Sequence, residues 1–464
     1  MRQKLREQVK ALQGEMVDTL CELVRRPAVS PHEGGQGEEE KVAYLEDLVR
    51  RLGYSAVERY DAPDSGAPRG IRPNLVVRVP GKNPGRIWFI AHTDVVPEGD
   101  RSLWHSDPFE PVVRDGRVYG RGSNDNGEEL VASLYALEAL RRLNLVPERE
   151  VCLAFVADEE MGSTFGIQYL IGQKLFSPDD LLVVPDGGNE EGNFIQVAEK
   201  SILWMEFTVE GVQVHASRPS SGNNACRAAN AFSVALDRAL HEAFPETNDL
   251  FNPAESTFEP TRRAQNVANI NTVPGKEVFC FDCRVLPGVP LEEVLKVVDA
   301  VQKEHEALSG VSISRKYPQK NQAAAPSAKD APVVRLLEGA VREVLAVEPT
   351  VGGVGGGTCA AFFRAAGIPA VVWGQEADVA HQPDEYTLVE HMVNEAQVFA
   401  LMMGARPWSR ALRRHDPSVT AMAPGADPGA MAVTKKSSGG VPQKGGDCGA
   451  SARGPPSSRG SAKG

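Results

Sequence analysis

Seven side chains in this sequence are of kinds that hold a divalent cation or work beside one: His92 and Asp94, Asp125, the adjacent Glu159 and Glu160, Asp186, and His381. A histidine two residues before an aspartate suits a metal, because one imidazole nitrogen binds the ion while the carboxylate takes or orients what the other nitrogen offers. Hard carboxylate oxygens with two imidazoles and no thiolate nearby suit zinc, and also manganese or cobalt. Two histidines and three acidic groups exceed the three protein ligands of a usual catalytic zinc. The number points instead to two ions about 3.5 Å apart that share a carboxylate, for which Asp125 is the candidate. Each fragment alone is weak, since a His-x-Asp pair is more often an ordinary histidine and an aspartate before a helix is more often its N-cap. The coincidence of all of them at strand ends and turns carries the reading.

The elements that must position these residues are legible in the hydrophobic pattern. The apolar run 87–91 reads as a buried strand ending at His92, 151–157 as a strand running into Asp158-Glu159-Glu160, and 181–184 as one ending before Asp186. Ligands in open α/β sheets gather at the carboxyl ends of strands, where loops aim side chains into a crevice. Residues 119–127 form a Gly-rich turn that carries Asp125 into a helix reaching residue 143. Apolar residues at helical spacing (Leu5, Val9, Leu12, Met16, Leu20, Leu23 and Val24) predict one helix over 3–26, and the acidic start Glu38-Glu39-Glu40 leads a second helix to 52. A further strand is expected at 74–79, and helices at 331–345 and 389–403 close an α/β fold of a mixed sheet flanked by helices.

After Lys200 the character changes. Strands at 203–210, 266–271, 278–286 and 311–315 alternate with helices at 226–242 and 291–308, the split order of a ferredoxin-like α+β module. The expected organisation is a catalytic domain in two parts, 1–200 and 317–406, with an inserted module at 201–316 and a disordered basic tail at 407–464. The glycine run from Gly352 to Gly357 with Thr358 lacks the spacing of a dinucleotide or phosphate loop and no lysine follows it, so it reads as a substrate-facing turn.

Charge and cysteines narrow the setting. The chain carries a net charge of −12 and its tail from Pro407 carries 9 basic against 3 acidic residues, which leaves −18 for the remainder. Such a body repels nucleic acid and anionic membrane surfaces. The 7 scattered cysteines do not make a disulfide framework, and the charged N-terminus has no apolar signal region, so a cytoplasmic protein is expected. Cys280 and Cys283 are three apart on a predicted strand, which points them to opposite faces and argues against a zinc knuckle.

These residues together resemble the co-catalytic metallopeptidases that include aminoacylase, acetylornithine deacetylase, succinyl-diaminopimelate desuccinylase, glutamate carboxypeptidase and carnosinase-type dipeptidases. The resemblance runs through residues 91–97, Trp104 with Asp107-Pro108-Phe109, residues 119–125, Asp158-Glu159-Glu160, and 374–385 around His381. It implies a zinc-exopeptidase-like sheet whose inserted ferredoxin-like module serves as lid and dimerisation domain. It implies that His92 and Asp186 hold one ion, Glu160 and His381 the other, and Asp125 both, zinc being the expected metal and cobalt or manganese the alternatives. Asp94 would hold the His92 ring, and Glu159 would be the general base for water ionised between the ions. The peptide bond after Asp125 would be cis. His215 would reach a partner subunit's site to hold the tetrahedral oxyanion, and Arg284 and Asn271 would grip a substrate carboxylate beside the turn at Gly357 and Thr358.

The implied partners are therefore a small substrate with a free carboxylate and a second copy of the chain. Two departures bear on specificity. Asp186 stands where deacylases and carboxypeptidases often carry Glu and dipeptidases often carry Asp, and Cys359 follows Thr358 where many deacylases carry Asp. The leading expectation is hydrolysis of N-acyl amino acids, as by a deacetylase or desuccinylase. A metallo-dipeptidase or carboxypeptidase is the rival among enzymes, and a non-catalytic metal- or peptide-binding protein the rival from another class. Glu159 separates the last, since a binding protein has no use for a base beside the metals.

Overall fold

Residues 86–92 form the strand on which the sheet is centred, and all but the first are buried. A strand covered on both faces needs a continuous apolar run, which Ile87-Trp88-Phe89-Ile90-Ala91 supplies. In the computed structural model, which describes residues 1–404, eight strands hydrogen-bond in the order Val57–Pro63, Ile71–Val79, Glu150–Val156, Arg86–His92, Leu181–Val184, Ala370–Val372, Phe194–Glu199, Thr350–Val354. The sheet is mixed. Arg86–His92 runs parallel to both its neighbours, whereas the pairings at the Val57–Pro63 edge are antiparallel. Register matters more than order here: His92 lies opposite Val156, so the first predicted ligand leaves the sheet level with the turn that carries Glu159 and Glu160.

Helices cover both faces. Glu129–Arg142 and Val389–Gly404 are buried along most of their length and pack on each other, and Phe399 of the second sets its ring 5.0 Å from Phe89 and 5.7 Å from Trp373. Centroids at that spacing are the tilted and edge-on contacts aromatic rings prefer. The single N-terminal helix expected over 3–26 is two, Arg2–Ala11 and Gln13–Val24, meeting at Leu12. Gly14, a poor helix former, follows the break, and the apolar stripe continues unbroken across both pieces. The strands Val57–Pro63, Phe194–Glu199 and Thr350–Val354 were not legible, being polar, isolated or glycine-rich.

A second, four-stranded antiparallel sheet has the order Thr257–Arg263, Lys276–Val285, Ser201–Glu210, Ser312–Asn321. Helices Ala225–Ala243 and Leu291–Ser309 share a core with it, including Phe207, Phe232, Phe279 and Phe281. This is the ferredoxin-like topology expected from the sequence. One strand is elsewhere, however. Residues 266–271 are not a strand; Thr257–Arg263 takes that place at the sheet edge. Asn266, Asn269 and Asn271 favour turns, and Pro260 is tolerated on an edge strand because no ladder bond is lost there. Cys280 and Cys283 do point to opposite faces, Cys283 into the core. No disulfide joins the described cysteines, and no described helix is long and apolar enough to cross a membrane. The tail at 407–464 lies outside the described residues.

Candidate active site

Three strand ends and two turns converge at the top of the large sheet. His92 is the last residue of its strand, and its backbone N–H donates to Asn126 Oδ1 at 3.0 Å. The Asn126 amide in turn donates to the carbonyl of Pro185 at 2.6 Å and to Glu129 at 3.1 Å. One side chain thus ties the His92 strand, the Asp125 turn and the Asp186 loop together. The Asp125–Asn126 peptide bond is cis, as the resemblance implied.

The predicted ligands meet. His92 Nε2 is 2.8 Å from Asp125 Oδ1 and 3.5 Å from Asp186 Oδ1, while His381 Nε2 is 3.0 Å from Asp125 Oδ2 and 3.2 Å from Glu160 Oε1. The two oxygens of Asp125 therefore face two different histidines. Donor atoms of His92, Asp125 and Glu160 lie within 4.8 Å of one another, as do those of His92, Glu159 and Asp186. Four half-buried carboxyl groups against two imidazoles aim an excess of lone pairs at shared points. That donor set is what hard divalent cations take.

Asp94 differs from expectation in detail. His92 Nδ1 is 3.0 Å from the backbone carbonyl of Asp94 and 3.6 Å from its carboxylate, whose two oxygens instead accept the backbone N–H groups of Glu159 at 3.0 Å and Glu160 at 3.1 Å. Those two short bonds place the acidic turn, so the carboxylate that was expected to hold the ring mainly holds the neighbouring backbone.

Charge states follow from the same contacts. Burial, and then the charge of Asp186, push the Glu159 carboxyl well above its ordinary range. Burial also raises Glu160, against the pull of His381. Burial alone would lower His92, but its contacts with Asp125, Asp186 and Asp94 outweigh it and hold the imidazole well above its usual value. Contacts with Asp125 and Glu160 push His381 up to about 10. Asp125 is lowered, since the two histidines overcome its burial. A divalent cation held by these groups would compete with the protons on the histidines, since ligands bind in their deprotonated forms.

The remaining predicted residues do not join this cluster. His215 is exposed, with Nδ1 2.8 Å from Ser217 Oγ, in the two-residue strand Val214–His215 that pairs with Thr272–Val273. Asn271 lies beside it, its carbonyl accepting the Ala216 N–H at 2.8 Å. Neither bonds to the carboxylate cluster among the described residues. Arg284 is held by Asp282, Nε to Oδ1 at 2.7 Å and Nη2 to Oδ2 at 3.0 Å, and donates to the Gly355 carbonyl at 2.8 Å. It thus touches the glycine turn that contains Gly357. The Thr358 hydroxyl is 2.5 Å from Glu199, which Arg364 also binds, so that hydroxyl is already committed within the protein.

Several buried carboxylates behind the site were missed from sequence. Glu128, Glu129 and Glu395 are fully buried and raised well above the ordinary range by burial, and Glu376 is pushed up to about 8 by burial and by Asp186 and Asp125. Adjacent glutamates opening a helix ordinarily mean a solvated N-terminus, so the pattern points the wrong way. Glu385 closes the matched stretch 374–385, and its spacing of four from His381 is the one signal that sequence offers for it.

Comparison with known proteins came down on one side. Residues 88–405 match the model of peptidase family M20/M25/M40. The chain is 38% identical over 400 residues to an uncharacterized metallohydrolase of Methanocaldococcus jannaschii, covering 83% of this chain and 98% of that protein. It is 26% identical to the succinyl-diaminopimelate desuccinylase of Sulfurovum sp., covering 83% and 97%. Among solved structures it resembles human carnosine dipeptidase 1 with a TM-score of 0.62 at 18% identity, covering 87% and 99%, a likeness of fold.

Proposed function

The chain belongs to peptidase family M20/M25/M40, and from that premise we propose that it hydrolyses the amide bond of N-acyl amino acids, in the manner of a deacetylase or desuccinylase. That it is a metallohydrolase follows from the family; the substrate class is our reading. The observation that carries the hydrolytic reading is Glu159, a half-buried carboxyl whose oxygen lies within 4.8 Å of the His92 and Asp186 donor atoms. A proton-carrying group there serves a reaction that must deprotonate water and protonate a leaving amine.

In this reading His92 and Asp186 would hold one cation, His381 and Glu160 the other, and Asp125 both, zinc being the best fit and cobalt or manganese the alternatives. Divalent cations so held supply Lewis-acid polarisation of the amide carbonyl and ionisation of water near neutral pH. Glu159 accepts the proton of the attacking water and returns it to the amine nitrogen as the bond to carbon breaks. Asp94 fixes the backbone of Glu159 and Glu160, so the base keeps its place as its charge changes. Arg284 and Asn271 take the substrate carboxylate next to Gly357 and Thr358, and His215 stabilises the oxyanion from a second copy of the chain. The inserted module, expected at 201–316 and extended to 321 by the strand Ser312–Asn321 that completes its sheet, acts as lid and dimerisation module between the two catalytic parts, expected at 1–200 and 317–406. The free cysteines and acidic body support a cytoplasmic setting.

One observation favours a second reading. Asp186 is an aspartate, as in dipeptidases that resemble this chain, so cleavage of dipeptides or C-terminal residues is the alternative. A panel of acetyl-, succinyl- and aminoacyl-amino acids, each with zinc, cobalt or manganese, measured by released amine, separates them. Turnover of acyl substrates with none on dipeptides supports the deacylase; the reverse pattern overturns it.

A further inference from the structure

The two proposed cation positions are built unequally. His92 is buried at the end of a central strand, its backbone bonded to Asn126 and its Nδ1 to the Asp94 carbonyl. His381 stands on a turn with its side chain 53% exposed, and among the described residues its ring has no partner beyond Asp125 and Glu160. Something other than the sheet must hold it.

The segment that carries His381 is fastened to the turn that carries Asp125 by one buried ion pair. Glu385 Oε1 accepts the backbone N–H groups of Gly122 at 3.0 Å, Asn124 at 2.9 Å and Asp125 at 3.1 Å. Its other oxygen, Oε2, takes Arg121 Nη1 at 2.5 Å. The same guanidinium donates to the carbonyls of Gln382 and His381, both at 3.3 Å, and lies over the Trp104 ring at 5.2 Å. Both charged side chains are almost wholly buried. Flanking bonds lock the register: Gly120 N–H donates to the Glu385 carbonyl at 2.9 Å, and the Thr387 hydroxyl lies 2.8 Å from the Ser123 carbonyl and 2.6 Å from Glu128. One carboxylate therefore shapes the Asp125 turn, and one planar fork ties that carboxylate to the backbone of His381.

We propose that Arg121 and Glu385 are positioning residues that hold the His381 turn against the Asp125 turn, and so set the affinity of the Asp125–Glu160–His381 position for its cation while leaving the His92–Asp186 position to the sheet. The proposal rests on the two-ion reading above. It requires the guanidinium fork: lysine at 121 carries its donors on a single nitrogen and cannot reproduce the planar spread by which Nη1 reaches Glu385 and Gln382 while Nη2 reaches His381. Glu385→Gln keeps an oxygen for the three amides but turns an N–H₂ toward Arg121, so it cuts the tie and spares the turn.

The test uses the full-length chain stripped of metal and reloaded with zinc against a competing chelator, with metal-free melting curves alongside. Wild type is expected to take up two equivalents. Arg121→Lys and Glu385→Gln are expected to bind the first as wild type does and the second about 10–100-fold more weakly, the usual effect of losing an outer partner of a ligand. If Arg121→Lys does not fold, Glu385→Gln alone decides. Equal weakening of both equivalents, or of neither, overturns the clamp while leaving the two-ion reading intact. A wild-type chain that binds only one equivalent overturns that reading, and the clamp with it.

Discussion

Buried carboxylates decide this protein's chemistry, and each behaves according to what faces it. Glu159 is raised by burial and by Asp186, whereas Asp125 is lowered by two imidazoles. Replacing Glu159 by glutamine keeps the shape and removes the proton carrier, so turnover is expected to fall about 10²–10⁴-fold with metal content unchanged. Elemental analysis beside a rate assay checks it, and a variant that keeps its rate sinks the base assignment. Glu376 gives a pH-dependent counterpart. Its folded value of about 8 lies above the ordinary 4.5, so the folded state holds a proton that the unfolded state gives up. Its contribution to stability is complete below pH 4.5 and is lost as pH rises through about 8. Metal-free Glu376→Gln is accordingly expected to melt above the parent at pH 9, and the gap to close toward pH 5. A constant gap between the two melting curves would show that Glu376 ionises normally in the fold.

Among the elements, those with strong periodicity were legible and those defined by close approach were not. The strands ending at His92, Glu159 and Asp186 could be read because continuous apolar runs stop at polar turns, and their parallel register brings the ends level. The five proposed ligands could be picked out because histidines and acidic residues recur at strand ends and turns, and the family resemblance paired them with two ions. Asn126 and Glu385 could not be assigned roles from sequence, since most of their partners lie on turns that only the fold brings close. Nor could the edge strand Thr257–Arg263, whose proline argues locally against a strand. Gly188 belongs with these. A Cβ there would sit 2.0 Å from the Gly374 carbonyl oxygen, so the Asp186 loop reaches the sheet only because this position is bare. Gly188→Ala is expected to destabilise the fold by about 1–3 kcal/mol, the usual cost of overpacking, and to weaken the metal position proposed for Asp186. Denaturant unfolding and metal titration measure the two effects; a variant unchanged in both would mean the loop has room to move.

At the scale of the whole molecule, the candidate residues fall into two groups on two cores. The proposed cation donors gather at the eight-stranded sheet, while His215 and Asn271 sit together on the four-stranded module and bond to nothing in that cluster among the described residues. Yet an oxyanion stabiliser works only within hydrogen-bond reach of the reacting carbonyl. If His215 has the oxyanion role proposed for it, either the module closes over its own site or it serves the site of a second copy, and the two arrangements predict different genetics. Glu159→Gln and His215→Ala chains are each expected to be nearly inactive. If His215 acts across subunits, half the dimers in an equal mixture are mixed, and one site in each mixed dimer receives both an intact base and an intact histidine. About a quarter of the wild-type activity then returns after subunit exchange, as two-fold symmetry requires. If His215 acts within its own chain, every site in every mixed dimer lacks one group, and the mixture stays as inactive as its parts. Rate assays on the mixture, with size-exclusion chromatography to show that dimers have exchanged, distinguish the outcomes; exchanged dimers with no recovered turnover would place His215 in its own chain's site.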